Sequence, residues 1–599
     1  MFQSFTVASR PEQGPPRLAA LRAQMQAKQV DAFLVPRADA WQGEYVAPCD
    51  ARLGWLTGFT GSAGFAAVTA TEAGVFIDGR YRLQVRNQVA DVFTPVHWPE
   101  VQLADWLGER LNAGQVLAYD PWLHTASEVE GLRNHFTPLG IEMHPLENLV
   151  DAIWDDRPAA PDAPFFAHPI EFAGVPHGEK RAALAADLQK RKVDAVVITL
   201  PDSIAWLLNI RGNDVVHNPV PQAFLILNAG GGATLFARTG KVDDIRDHLG
   251  ADIAIAEQAA FLPALADLEG RIQIDPKSAP DIVASTLTAA GAEIIAAMDP
   301  CLLPKACKNP VEIEGMRAAH IRDAAAVVNF LAWVDAEAPK GGLTEISVTE
   351  RLEQFRSASN ALKEISFDTI AGAGPNGAIM HYRVDENSNR PVKMNELLLV
   401  DSGAQYADGT TDITRTVVIG NAPDDSAENY TRVLQGLIAI SRARFPRGVA
   451  GMHLDALARF PLWMAGRDFD HGTGHGVGAY LSVHEGPQRL SRISDIALRE
   501  GMILSNEPGY YRPGSYGIRL ENLIVTVKAP VLAGADDRDM LAFETLTFVP
   551  FDRRLIITAM LSPDEAAWID AYHVKVLHDI GPRVAGDTAK WLTQACAPL

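Results

Sequence analysis

A chain of 599 residues is too long for one hydrophobic core and predicts roughly three or four domains. Its hydrophobic fraction of 47% and charged fraction of 21% are those of an ordinary soluble globular protein, and its formal net charge of −21 opposes nucleic-acid binding, which needs a basic face. No apolar run approaches the ~20 residues that span a bilayer, so no membrane association is expected. The N-terminal stretch MFQSFTVASRPEQGPPR lacks the basic and apolar regions of a secretory signal. Cys49, Cys301, Cys307 and Cys596 are scattered without a CxxC pair, which fits a reducing cytoplasm and argues against thiolate metal sites.

In chain order, the first three hundred residues contain an internal repeat. LAALRAQMQAKQVDAFLVPRADA (18–40) resembles RAALAADLQKRKVDAVVITLPDSIA (181–205) at an offset of 163. Each copy reads as an amphipathic helix, a turn and a buried β-run, so two similar α/β domains are expected over 1–160 and 161–305. The proline-rich segment 155–169 between them reads as a linker. FIDGRY (76–81) reads as a strand closed by an Asp-Gly turn, and AFLILNAGGGATLFA (223–237) as a hairpin. WLTGFTGSAGFAAV contains no GxGxxG, and GxxxxGK[ST] occurs near no strand–helix junction, so its glycines are assigned to packing and turns.

A third domain is expected over 306–540. Asn309 before Pro310 predicts a helix start, with Met316, Ala319, His320, Asp323 and Val327 on one face and His320 in a structural role. A second helix is expected over 347–361. Beyond 540 the segment 541–599 is a C-terminal extension whose helix opens on a Ser562/Glu565 capping box. Its apolar stripe of Ile569, Tyr572, Val576 and Ile580 either packs on its own domain or serves a dimer interface.

The chemistry concentrates between Asp401 and Glu521. Asp401 ends an apolar β-run and Asp412 opens the next, across a loop holding Asp408 and Gly409. In a bulge-free hairpin with a two-residue turn, residues whose numbers sum to an odd value share a face, so both carboxylates point the same way. His471, His475 and His484 follow in a glycine-rich β segment, where the backbone can approach a ligand closely. Glu507 ends the strand MILSNE before a Pro-Gly turn, and Glu521 sits in the returning strand IRLENLIVTV, where a buried acid needs a partner. Four carboxylates and one imidazole, converging, require cations. Such an oxygen-rich set suits Mn²⁺ better than a closed zinc site.

The motifs DSG (401–403), TDITR (411–415), GTGHGVG (472–478), NEPG (506–509) and RLEN (519–522) resemble, in order, those of the pita-bread (creatinase/aminopeptidase) metallopeptidases. Taken with the two N-terminal repeats, the chain is most similar to the three-domain Xaa-Pro aminopeptidases. The resemblance implies two creatinase-type α/β domains followed by a pita-bread catalytic domain of α+β type. It implies two divalent metals, Mn²⁺ first with Zn²⁺ or Co²⁺ as substitutes, bridged by Asp412 and Glu521. Asp401 completes one shell, and His475 with Glu507 the other. A metal-bridging hydroxide would then attack the Xaa-Pro bond, with Glu507 as proton shuttle. His381 and His484 match histidines that bond the substrate carbonyls, His471 one that lines the proline subsite, and Tyr511 and Arg519 groups that orient carboxylates. A peptide with proline in second place and a homodimer in the cytoplasm are the implied partners and location. Creatine-hydrolysing, histone-chaperone and methionine-aminopeptidase relatives of the fold lack either the ligands or the repeats. A prolidase confined to Xaa-Pro dipeptides and a catalytically silent binding protein remain the alternatives.

Overall fold

The computed structural model describes residues 1–423 and 425–599. Contacts divide the chain into two compact units, one of Ala8–Leu302 and one of Leu303–Leu599 together with Met1–Val7.

The first unit contains the repeat. Strands β1 (Ala32–Pro36), β2 (Phe65–Thr69), β3 (Ala73–Ile77), β4 (Thr94–His97), β5 (Val116–Tyr119) and β6 (Glu142–Pro145) form a sheet in the order β4-β3-β2-β1-β5-β6. β1 pairs antiparallel with β2 and parallel with β5. The second copy repeats this order with the strands Ala195–Ile198, Phe224–Asn228, Ala233–Ala237, Ile253–Glu257, Arg271–Ile274 and Glu293–Ala296. Its pairing senses are the same.

The sequence offset of 163 carries through to the core. In helix Gly14–Ala27 the buried Leu21 and Met25 correspond to the buried Leu184 and Leu188 of helix His177–Arg191. The glycine hairpin forms between Phe224–Asn228 and Ala233–Ala237, with Gly231 at φ +90° supplying the left-handed turn residue. Arg80 closes its strand end through a 2.6 Å ion pair with Asp78. Most of the proline-rich segment is irregular, although Phe166–Ala167 pairs with Ile210–Arg211.

The second unit is built on helix Pro310–Glu337. Asn309 caps it, and Glu312 reaches back to complete a capping box. Met316, Ala319, His320, Asp323 and Val327 are all buried. His320 is a buried core residue whose Nδ1 lies 2.7 Å from the Met316 carbonyl, while its Nε2 has no hydrogen-bond partner among the described residues. The next helix spans Glu345–Ser357, two residues earlier at its start and four shorter at its end than the periodicity predicts. Thr344 caps the Ser347 N–H, and the Ser359 hydroxyl bonds the Arg356 carbonyl, so side chains settle both ends.

Two antiparallel arrangements follow. Strands Ile370–Ala373, Glu396–Ser402 and Ile413–Ile419 form one sheet. Strands Arg444–Pro446, Met540–Thr545, Asn522–Lys528, Ile503–Asn506, Gly474–Gly476 and Glu485–Leu490 form the other, in that spatial order. Helix Pro563–Ile580 packs its stripe of Ile569, Tyr572, Val576 and Ile580 into the core that the first of these sheets shares with Phe330 and Leu434. Of the two uses open to that stripe, packing on its own domain is the one realised. A dimer contact cannot draw on it. Among the described residues no helix is long and apolar enough to cross a membrane.

Candidate metal centre

The hairpin that carries the two aspartates keeps its register across an interruption. Asp401 faces Thr414 in the outer part, and Tyr406 faces Gly409 around the two-residue turn Ala407–Asp408. The break falls at Gly403, where a Cβ would lie 2.0 Å from Ser366 Oγ and 2.1 Å from the Thr411 carbonyl. Only glycine fits there. Because no residue is gained or lost, Asp401 and Asp412 are diagonal neighbours on one face, and both are buried.

His475 enters from the short strand Gly474–Gly476, which has a bulge at His475/Gly476. A Cβ on Gly474 would meet the Ser505 carbonyl at 1.9 Å, so this glycine lets the histidine strand lie against the strand that leads to Glu507. Glu521 occupies the joint between strands Tyr516–Arg519 and Asn522–Lys528, and not the strand interior expected from sequence. Asp412, His475 and Glu521 each offer a ligand atom within 4.8 Å of the others. Glu507 Oε1 stands 3.6 Å from His475 Nε2, and Asp412 Oδ2 3.5 Å from the same nitrogen.

The electrostatics of this cluster call for cations. Burial, then the neighbouring Asp401 carboxylate, pushes Asp412 up to about 8. Burial lifts Glu507 to about 7, and burial with Asp412 beside it holds Glu521 well above the usual carboxylate range. Asp401 Oδ1 and Glu521 Oε1 are buried without a hydrogen-bond donor. His475 Nδ1 lies 2.9 Å from the Gly476 carbonyl, so the N–H sits there and Nε2 turns its lone pair toward the carboxylates. Orphaned oxygens, crowded acids and an oriented imidazole are what a pair of hard divalent cations would complete. The residues fit the group.

A hydrogen-bonded chain runs outward from Asp401. Arg519 Nη2 donates to Asp401 Oδ2 at 2.6 Å and Nη1 to the Tyr511 hydroxyl at 2.7 Å. The Tyr511 oxygen is 2.8 Å from His471 Nε2, and His471 Nδ1 is 2.7 Å from the Gly472 carbonyl. Burial opposes the charge on Arg519, yet Tyr511, Asp401 and Glu507 hold its pKa well above the ordinary value. His484 sets its ring edge-on to His475, 4.3 Å between centroids. His381 is half-buried and follows Met380, whose carbonyl accepts from Arg519 Nη2 at 3.2 Å.

Several supporting residues escaped the sequence reading. Thr414 donates to Glu521 Oε2 at 2.9 Å, and Ser505 both accepts from the His475 N–H at 2.9 Å and donates to Glu507 Oε1 at 3.3 Å. Behind the hairpin, fully buried Asp323 accepts from Arg356 Nε at 2.8 Å, from Tyr406 at 2.9 Å and from Thr411 at 2.9 Å, next to Asp412. The signal was present: a carboxylate at Asp323 on a buried helix face demands a partner.

With this geometry in hand, comparison with known proteins places the chain. Residues 314–528 match metallopeptidase family M24, and 539–599 match the C-terminal region of that peptidase. Residues 17–153 and 156–312 match the creatinase/prolidase N-terminal domain twice. A protein of Laccaria bicolor named "Probable Xaa-Pro aminopeptidase P" is 38% identical over 97% of this chain and 93% of its own length. One of the same name from Aspergillus niger is 37% identical over 97% and 98%. The crystal structure of a Caenorhabditis elegans X-prolyl aminopeptidase, described as a cytosolic enzyme with a di-nuclear active site, superposes with a TM-score of 0.93 at 34% identity, covering 98% of this chain and 99% of that one. Identity at this level along nearly the full length of its relatives means that the protein belongs to the Xaa-Pro aminopeptidase P group of metallopeptidase family M24, with two creatinase-type domains ahead of the catalytic one.

Proposed function

We propose that this chain is an aminopeptidase that releases the N-terminal residue from peptides with proline in second place, Xaa-Pro-Yaa. The observation that carries the reading is the cluster of Asp412, His475 and Glu521, with Glu507 beside His475 and orphaned carboxylate oxygens on Asp401 and Glu521, in a chain that matches such enzymes along nearly its full length. Asp412 and Glu521 would hold both of two divalent ions, Asp401 one of them, and His475 with Glu507 the other. Manganese is the ion we assign, on the oxygen-rich ligand set. When bound, the ions supply Lewis-acid polarisation of the scissile carbonyl and offset the charge of four carboxylates.

The chain's own residues do the rest. Glu507 takes the proton of the attacking water and delivers it to the departing proline nitrogen. That nitrogen leaves a tertiary amide and has no proton of its own, so delivery there governs collapse of the tetrahedral species. His381 and His484 donate hydrogen bonds to the substrate carbonyl and to the oxygen that gains charge on it. Both ring nitrogens of His471 are engaged, so it would wall the proline subsite with its ring, which packs 4.8 Å from Phe469. Tyr511 and Arg519 fix the angle of Asp401. A cytoplasmic homodimer is the assembly we assign to the enzyme, through a surface other than the stripe of helix Pro563–Ile580.

Metal-depleted protein reconstituted with Mn²⁺ is expected to release the first residue of Xaa-Pro-Yaa faster than it splits the dipeptide Xaa-Pro. Cleavage of the dipeptide alone would make the protein a prolidase. No cleavage of either, with zinc and cobalt also tried, would leave a binding protein on an enzyme fold. Replacing His484 by Ala is expected to lower kcat by about 10²-fold, the loss typical of one oxyanion donor, while metal content stays full. Metal lost on that change would place His484 among the ligands instead.

A further inference from the structure

We propose that Glu345 is the positioning residue for His381, fixing the segment that presents this imidazole to the substrate. The inference rests on the role given to His381 above. Glu345 stands in the first turn of helix Glu345–Ser357 and is completely buried. Its carboxylate gathers hydrogen-bond donors from one stretch of chain. Oε1 accepts from the Ala373 N–H at 2.7 Å and from Asn376 Nδ2 at 3.0 Å. Oε2 accepts from the Tyr382 hydroxyl at 2.8 Å and from the Arg390 N–H at 3.0 Å. The Glu345 N–H in turn donates to the Arg390 carbonyl at 3.0 Å.

One side chain therefore holds the beginning, the middle and the end of residues 373–390. His381 lies inside that span, immediately before Tyr382. The same segment is fastened to the metal centre from its other side. Arg519 Nη2 donates both to the Met380 carbonyl and to Asp401 Oδ2, and Ile370, at the start of the strand leading into the segment, pairs with Asp401. His381 is thus flanked by two anchors, Met380 on Arg519 and Tyr382 on Glu345.

The chemistry of the anchor explains why it is an acid. A carboxylate is acceptor-only with about four lone-pair sites, and four different groups donate to this one. A glutamine would turn an NH₂ toward two of those donors, whichever way its amide is placed. Burying an ionised carboxylate is costly unless it is hydrogen-bonded throughout, and this one is bonded by four groups of the segment that carries His381, which fixes that segment's geometry.

The test is a double-mutant cycle in metal-loaded, full-length protein, read by kcat and KM on Xaa-Pro-Yaa, by metal content and by thermal midpoint. Glu345→Gln is expected to lower kcat by roughly 10-fold or more with KM little changed and both metals retained. In the His381→Ala background the same change is expected to cost less than about twofold, because the residue it serves is gone. Losses that multiply would overturn the proposal, as would metal lost together with activity. Full activity in His381→Ala alone would remove the role of His381 and the proposal with it, whereas an impaired His381→Ala with a multiplicative double variant would remove the proposal only. Should Glu345→Gln fail to fold, Tyr382→Phe enters the same cycle in its place, since it deletes one donor and leaves the carboxylate bonded; multiplicative losses there overturn the proposal equally.

Discussion

Replacing Glu507 by Ala should reduce turnover of Xaa-Pro-Yaa by roughly 10³-fold, within the range that proton transfer by a positioned side chain supplies. The loss has two sources. Glu507 is assigned both as a metal ligand and as the group that carries the proton, so the alanine variant must be assayed with saturating Mn²⁺ and its metal content measured alongside. Glu507→Gln separates the two roles. The amide oxygen keeps one ligand atom and the side-chain length, but an amide cannot accept and release a proton near neutral pH. We expect Gln to hold more metal than Ala and to turn over no faster. The surrounding contacts favour this outcome, because Ser505 Oγ and His475 Nε2 lie 3.3 and 3.6 Å from Glu507 Oε1 and remain to orient the new amide. Near-normal kcat in either variant would falsify the mechanism.

How much of this site was legible in sequence depended on whether its geometry is local. The aspartate pair was legible because hairpin register is arithmetic. The two-residue turn at Ala407–Asp408 keeps Tyr406↔Gly409 and Asp401↔Thr414 in a single register, so alternation along the strands put both acids on one face. The repeat was legible for a similar reason, since burial follows the helical period at equivalent positions such as Leu21 and Leu184. Glu521 was misplaced by a small amount. Its strand breaks between Arg519 and Asn522, and alternation says nothing about a side chain at a break.

Long-range partners were not legible at all. The reach of Arg356 to Asp323, or of Glu345 to residues 373–390, depends on how helices pack against sheets, and no spacing rule encodes it. A buried acid announces that a partner exists but not which one. The same limit applied to the last helix. Its period exposed an apolar stripe without saying what covers it, which left a self-contained core and a dimer contact equally open.

The structure closes that choice, and the consequence is a stability prediction. Ile569, Val576, Ile580 and Leu592 are fully buried, and Tyr572 nearly so, in the core of the catalytic unit. The Tyr572 hydroxyl accepts from Arg415 Nη2 at 3.0 Å and from the Val549 N–H at 3.1 Å, and Arg415 also donates to the Glu521 carbonyl. Helix Pro563–Ile580 is thereby tied to the backbone of a proposed metal ligand. Truncating one buried aliphatic side chain to alanine costs about 2–5 kcal/mol, and a whole domain is held by only about 5–15 kcal/mol. Deleting residues 562–599 removes several such side chains at once, so the shortened chain is expected to lose cooperative folding and accumulate as insoluble protein. Ile569→Ala is the graded form of the experiment. It should lower the stability of the catalytic unit by about 2–5 kcal/mol in denaturant titration while leaving the sedimentation profile of the folded protein unchanged. A stripe that served self-association would give the reverse: dissociation in the ultracentrifuge, with the unfolding midpoint of the isolated protomer untouched.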